Sequence, residues 1–138
     1  MTPTQKQLIQ ETWQQVAPIA DAAATVFYNR LFEIDPSLKP LFAKTDMDQQ
    51  GQKLMQAINH VVAGLRAPEA LMPVLQDLGR RHAGYGVTEG HYDTVGAALL
   101  WTLEKGLGES WSDDASEAWA AAYALIAEIM IEAAREAA

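Results

Sequence analysis

Leu71-Met72-Pro73-Val74-Leu75-Gln76-Asp77-Leu78-Gly79-Arg80-Arg81-His82, followed by Ala83-Gly84-Tyr85-Gly86, decides how this chain is read. Leu71, Leu75, Leu78 and His82 recur at spacings of four, three and four, the period of one helical face, and the glycines that follow break the helix. Working outward, the same period returns in Ile9, Trp13, Val16 and Ala20, in Ala24, Tyr28 and Leu31, and in Leu54, Ile58, Val61 and Leu65. It continues through Val95, Leu99 and Leu103 and ends in Ala115, Trp119, Ala122, Ile126, Met130 and Ala133. No stretch alternates as a half-buried strand would, so the chain reads as all-α, and each apolar stripe needs another helix to cover it.

Start and stop signals separate the stripes into about six substantial helices and one or two short ones. Thr4 with Gln7 has the spacing of a capping box, and Asp35 before Pro36 reads as an N-cap with proline in the first turn. Ala67-Pro68-Glu69, Thr88-Glu89 and Ser112-Asp113-Asp114 read as further starts. Gly64, Gly84 with Gly86, and Gly106 with Gly108 mark ends. Ala43 to Gln49 is the least regular connection, and with no repeat or linker the expectation is a single domain over 1–138.

Composition narrows the chemistry. The net charge of −8, with no basic patch, opposes nucleic-acid binding. Without cysteine there is no disulfide scaffold, thiolate metal site, covalent haem attachment or thiol nucleophile. The nitrogen ligands are His60, His82 and His91. The polar start and an apolar run from Ala118 to Ala127, short of the about 18 residues a span requires, indicate a soluble, cytoplasmic protein without membrane insertion.

Other motifs read more simply as structure. Asp46-Met47-Asp48-Gln49-Gln50-Gly51 starts like a calcium loop, but Ala57 stands where the bidentate glutamate belongs, so it reads as a solvated loop entering a helix. Gly84-x-Gly86 follows no strand and reads as a helix terminator rather than a dinucleotide fingerprint. Glu128 and Glu132 share an exposed face, without the Glu-x-x-His pairs of a di-iron bundle. There is no G-x-S-x-G nucleophile elbow.

His82 stands apart from these. A lone histidine on an apolar face is usually a satisfied core residue, but here leucines lead to it, its helix stops just beyond, and the next opens with His91-Tyr92. A shallow apolar wall carrying one imidazole is the proximal side a haem iron requires. For the opposite wall, Gln50 lies four residues before Leu54 and extends that stripe with an amide, while Tyr28 sits on the inner stripe of the second helix. Both need hydrogen-bond partners; a bound dioxygen would accept from each, and the alternative is that they bond each other or the backbone.

Phe27-Tyr28-x-Arg30-Leu31-Phe32, Asp35-Pro36-Ser37-Leu38-Lys39-Pro40-Leu41-Phe42, Leu78-Gly79-Arg80-Arg81-His82, His91-Tyr92-x-x-Val95-Gly96-x-x-Leu99-Leu100 and Ala118-Trp119-x-x-x-Tyr123 occur in that order. With these motifs, from about Gln5 to the last helix, the chain resembles the haem domain of flavohaemoglobins and their single-domain bacterial globin relatives. The resemblance implies a globin fold of six to eight helices around one non-covalent haem b. It implies His82 as proximal ligand, Phe42 on the haem face, Tyr28 and Gln50 as distal tyrosine and glutamine, and Leu54 closing the distal pocket. Leu78, Tyr92 and Val95 would line the cofactor, with Lys53 and Arg81 as propionate partners. Gln50 rather than Gln49 follows from aligning Leu54-Met55-x-Ala57-Ile58.

By geometry, His60 is turned about 80° from the Gln50 direction and is not expected to bind iron, whereas His91 is expected to cap or flank the pocket. The resemblance breaks at the proximal carboxylate of the family. Ala134 stands at that position, with Glu132 and Glu136 about 200° away on either side. That departure implies a less electron-donating imidazole and weaker peroxidase-like chemistry.

Three functions follow as expectations. The first is reversible, high-affinity dioxygen binding with reaction toward nitric oxide. The second is nitric oxide dioxygenase activity as the main role; the length leaves no room for flavin and nicotinamide domains, so an external reductase would sustain it. The third is a cofactor-free helical interaction module, and a gas sensor is a further alternative. A Soret band separates the haem readings from the module.

Overall fold

The computed structural model describes residues 2–137, in which six α-helices account for almost all of the regular structure. They are α1 (Pro3–Val16), α2 (Ala20–Ile34), α3 (Met47–Ala63), α4 (Pro68–Gly84), α5 (Glu89–Leu107) and α6 (Asp113–Ala137). Four short 3₁₀ segments connect them: Ala17–Ile19, Pro36–Phe42, Gly64–Arg66 and Gly108–Ser110. No strand occurs among the described residues, and none of their helices is long and apolar enough to cross a membrane. The expected all-α architecture is therefore present, with more short segments than periodicity indicates, because a 3₁₀ turn is too short to show a stripe.

The helix boundaries follow local chemistry. Asp35 accepts from the Ser37 N–H, and Ser112 accepts from the Ala115 N–H, as expected of N-caps. Thr88 forms a capping box in which His91 Nδ1 accepts the Thr88 N–H at 3.0 Å. The first helix departs from expectation: its capping box is Thr2 with Gln5, not Thr4 with Gln7. The spacing is identical, and Pro3 decides between them, since proline fits the first helical position directly after the cap. The irregular connection is also shorter than expected, because Asp46 accepts from Asp48 and Gln49 N–H groups and starts α3 at Met47. Asp46 is thus spent as a cap.

Packing runs α1 on α6, α2 on α5 and α3, and α4 along α6. Ile9, Trp13, Val16, Leu103 and Trp119 form the centre of the main core. There the Trp119 indole donates to Thr12 Oγ1 at 2.9 Å, and the Thr12 hydroxyl donates back into its own helix at the Leu8 or Ile9 carbonyl. Thr12→Val is expected to destabilise by about 1–3 kcal/mol in urea unfolding, because it strands a buried indole N–H.

Two of the crossings that are closer than a Cβ permits position the site. A Cβ on Gly51 would stand 2.9 Å from Ala24 Cβ, which brings α3 down onto α2. A Cβ on Gly79 would press on the Met130 carbonyl oxygen and stand 2.6 Å from its Cα, which sets α4 directly on α6. By contrast α4 makes no comparable packing with α2, α3 or α5. The helix carrying His82 is held from one side.

Candidate functional site

Site residues fall into two groups, on the two sides of that gap in helix packing. The first is built on α2, α3 and the Pro36–Phe42 segment. Tyr28 is 7% exposed in α2, and Gln50, from the first turn of α3, donates its Nε2 to the Tyr28 hydroxyl at 3.2 Å. The close crossing at Gly51 is the local reason these two side chains meet, since Gly51 directly follows Gln50. Gln49, one residue earlier, is exposed. Burial raises the Tyr28 pKa above the ordinary phenol value, while the bond from Gln50 acts in the opposite direction. Its phenol therefore keeps its proton at neutral pH, and no protein group among the described residues accepts that proton.

Aromatic rings fix the phenol. Phe42 meets Tyr28 edge-on at 5.6 Å and Phe32 likewise, and Phe27 meets Tyr28 from within α2 at 4.9 Å. Leu54 from α3 and Val95 from α5 pack against the same cluster, yet Phe42, Leu54 and Val95 each remain half-buried. Their exposed sides are apolar, which suits a flat apolar group.

The second group is on α4. His82 is half-buried, and its Nδ1–H donates to the Leu78 carbonyl one turn earlier at 2.7 Å. A carbonyl only accepts, so the proton belongs on Nδ1 and the Nε2 lone pair is left for a metal or a donor. Gly86, at φ +92°, turns the chain out of α4, and the Val87 N–H returns to the His82 carbonyl at 3.1 Å. Leu78 and Tyr92 pack on the cluster of Leu71, Leu75 and Met130. The α4 to α6 contact at Gly79 thus supports the wall that carries the imidazole.

The remaining predicted residues are placed differently. Lys53 is exposed, and Arg81 is exposed and paired with Asp77 at 2.9 Å. His60 is exposed, whereas His91 is used in the α5 cap. Glu132 and Glu136 are exposed, while Ala134 is half-buried and lies beside Tyr92 along a shared cavity. Neither glutamate takes the place of the absent proximal carboxylate.

Sequence periodicity missed two tyrosines near this site. The Tyr123 hydroxyl donates to the Tyr92 carbonyl at 2.6 Å and so fixes the first turn of α5 from α6. Tyr85, 66% exposed, lies with its ring 6.1 Å from that of His82. Tyr123 carried a signal, in that its ring occupies the space beside Gly96, but a glycine-to-aromatic crossing cannot be paired from one sequence.

Chemically, one wall offers a single nitrogen lone pair, and the other offers a phenol O–H and an amide within an apolar cluster. Among the described residues no group of three or more His, Asp or Glu side chains is arranged to hold a metal by itself. A metal taken here would need ligands beyond those the described residues supply.

Comparison with known proteins agrees with this architecture. The globin family model matches residues 25–130. The chain is 33% identical to a flavohemoprotein of Rhizobium meliloti (strain 1021) over 132 residues, 94% of this chain and 33% of that protein. A flavohemoprotein of Chromobacterium violaceum is 37% identical over 112 residues, 80% of this chain and 28% of that protein. The chain therefore spans about a third of the length of these relatives. Among solved structures, a bacterial globin from Campylobacter jejuni superposes with a TM-score of 0.85 at 25% identity, covering 99% of this chain and 98% of that one. A hexacoordinated heme protein from an anhydrobiotic tardigrade shares the fold, with a TM-score of 0.88 at 16% identity over 98% of this chain and 96% of that one. With six helices in this packing and a family match over most of its length, the chain belongs to the globin family.

Proposed function

We propose that this protein holds one non-covalent haem b between α4 and the wall made by α2, α3 and the Pro36–Phe42 segment, and binds dioxygen reversibly with high affinity. The carrying observation is the part-buried Gln50 to Tyr28 hydrogen bond: the two side chains do bond each other, but the amide is the donor, so the phenol proton is left for a ligand while the amide is not. Similarity to flavohemoproteins and the single-nitrogen donor set of the α4 wall support the cofactor. When bound, haem supplies reversible dioxygen binding and the oxidation of nitric oxide by dioxygen to nitrate.

The chain's own residues divide the remaining work. His82 Nε2 would be the metal ligand, its tautomer and ring orientation set by the Nδ1–H bond to Leu78. Phe42, Leu54, Leu78, Tyr92 and Val95 would hold the macrocycle by apolar contact, and Lys53 and Arg81 would reach its propionates. Arg81 must share its guanidinium with Asp77 to do so. Tyr28 would donate its O–H to a gas bound there, oriented by the bond it accepts from Gln50. Nitric oxide reaches the same donors, and sustained turnover with it would draw on an external reductase.

A hydrogen bond of about 1.5 kcal/mol lost from the bound state accelerates release roughly tenfold. Tyr28→Phe is therefore expected to raise the dioxygen dissociation rate roughly tenfold, measured by ligand replacement in stopped flow. An unchanged rate would remove Tyr28 from the role given to it here.

A further inference from the structure

Trp101 and Glu104 on α5, Trp111 in the connection that follows, and Asp113 and Ser116 at the start of α6 line a groove of about 550 Å³ that is open to solvent. Both indoles are half-buried, and Trp111 packs against the main core. Trp101 already accepts cations from the protein: the Arg30 guanidinium lies 4.9 Å and the Lys105 ammonium 5.3 Å from its ring centroid. Neither of these groups lines the groove, and Trp111 has no such cation among the described residues. The surrounding charge is one-sided. Residues 89–138 hold ten carboxylate side chains against two basic ones, whereas residues 1–88 balance at eight and eight, so the whole net charge of −8 falls on the half that carries the groove. Glu104 and Asp113 are exposed and form no ion pair among the described residues.

We propose that this groove binds a small organic ammonium ion, its charge held by Glu104 and Asp113 and its apolar body laid against the two indoles. Indole faces and carboxylates from two different helices are the groups that recognise a cation with a hydrocarbon body, and the groove has the volume of a small-molecule site. Because Trp101 already carries two cations, the ligand's own charge belongs at Trp111, and Trp101 receives the apolar part. One feature opposes a cation, the N-terminus of α6. It is worth about half a unit of positive charge, and its Ser112 cap already accepts the Ala115 N–H, so two full carboxylates outweigh it. The proposal does not rest on the haem reading.

Phenethylammonium is the probe, and 2-phenylethanol, with a hydroxyl in place of the ammonium, is its neutral match. Titrated into the full chain loaded with haem and carbon monoxide, phenethylammonium is expected to shift the Trp101 and Trp111 indole N–H signals saturably in heteronuclear NMR. The indoles of Trp13 and Trp119 are buried and bonded to Asn59 and Thr12, so their signals should stay in place and serve as internal controls. Glu104→Gln, at an exposed position, is expected to weaken binding about tenfold, and 2-phenylethanol to bind at least about tenfold more weakly than the ammonium. Glu109→Gln removes the same charge from the same corner without touching the groove, and should change the affinity less than about twofold. Absence of a saturable shift, equal weakening by Glu104→Gln and Glu109→Gln, or equal binding of the alcohol overturns the proposal. Tighter binding of N-acetyl-lysine methylamide than of phenethylammonium would also overturn it, in favour of a basic segment of a partner protein.

Discussion

His82→Ala, produced with ample haem and purified, is expected to show no Soret band where the wild-type chain is expected to show a strong one. The expectation follows from the donor inventory. His60 is exposed and His91 is committed to the α5 cap, so neither replaces the nitrogen that α4 supplies. The loss has a second readout in stability. A ligand present at 1,000 times its Kd stabilises the folded state by about 4 kcal/mol, so haem added to the variant should no longer raise its melting temperature. Added imidazole is expected to restore part of the Soret band by entering the space the side chain leaves, since the Leu78 carbonyl remains to accept its N–H. A variant that retains the full band without imidazole would mean that iron is bound from elsewhere, and the α4 wall would lose its assigned role.

Much of this architecture was legible because a buried helix face has a period that needs no knowledge of its partner. Ile9, Trp13, Val16, Leu103 and Trp119 lie in the core as their stripes indicate. The stripes also hold a subtler record. Leu54, Ile58, Leu78, Val95 and Leu99 continue them yet stay half-buried, and periodicity does not distinguish an apolar residue covered by a helix from one presented to a flat cofactor. The helix starts were legible wherever a side chain caps its own backbone, as at Asp35, Thr88 and Ser112. Thr2 and Thr4 show the limit, because a capping box is a spacing and two candidates shared it.

What remained illegible depends on pairs distant in the chain. Nothing local to Tyr123 indicates that its hydroxyl reaches the Tyr92 carbonyl, or that Trp119 reaches Thr12. Gly79 was visible only as one letter of a motif, and its physical role belongs to Met130, about fifty residues later. The same holds for the site. Tyr28 and Gln50 could be placed on inner stripes, but whether the amide meets the phenol is decided by the α2 to α3 crossing at Gly51 and Ala24.

Gly79→Ala should then be among the most damaging substitutions outside the site, although it introduces a better helix former. Two effects oppose each other. Alanine in a helix interior gains about 1 kcal/mol over glycine. The added methyl meets backbone, 2.6 Å from Met130 Cα and 2.7 Å from its carbonyl carbon, so no rotamer change in a neighbour relieves it and α4 must move off α6. Overpacking costs about 1–3 kcal/mol even where side chains can yield, and this contact lies at or beyond the upper end, so strain exceeds propensity. A net loss of about 2 kcal/mol should lower Tm by roughly 6 °C in a chain of this size. Gly84→Ala is the matched control, because a Cβ there meets nothing within 4 Å and the backbone is already helical. It should change stability by no more than about 0.5 kcal/mol. Since α4 has α6 as its principal support, the displacement caused by Gly79→Ala should also disturb the His82 wall, and haem should dissociate faster from it than from the Gly84→Ala protein. Equal melting temperatures and equal haem loss for the two variants would show that α4 does not rest on the Met130 backbone.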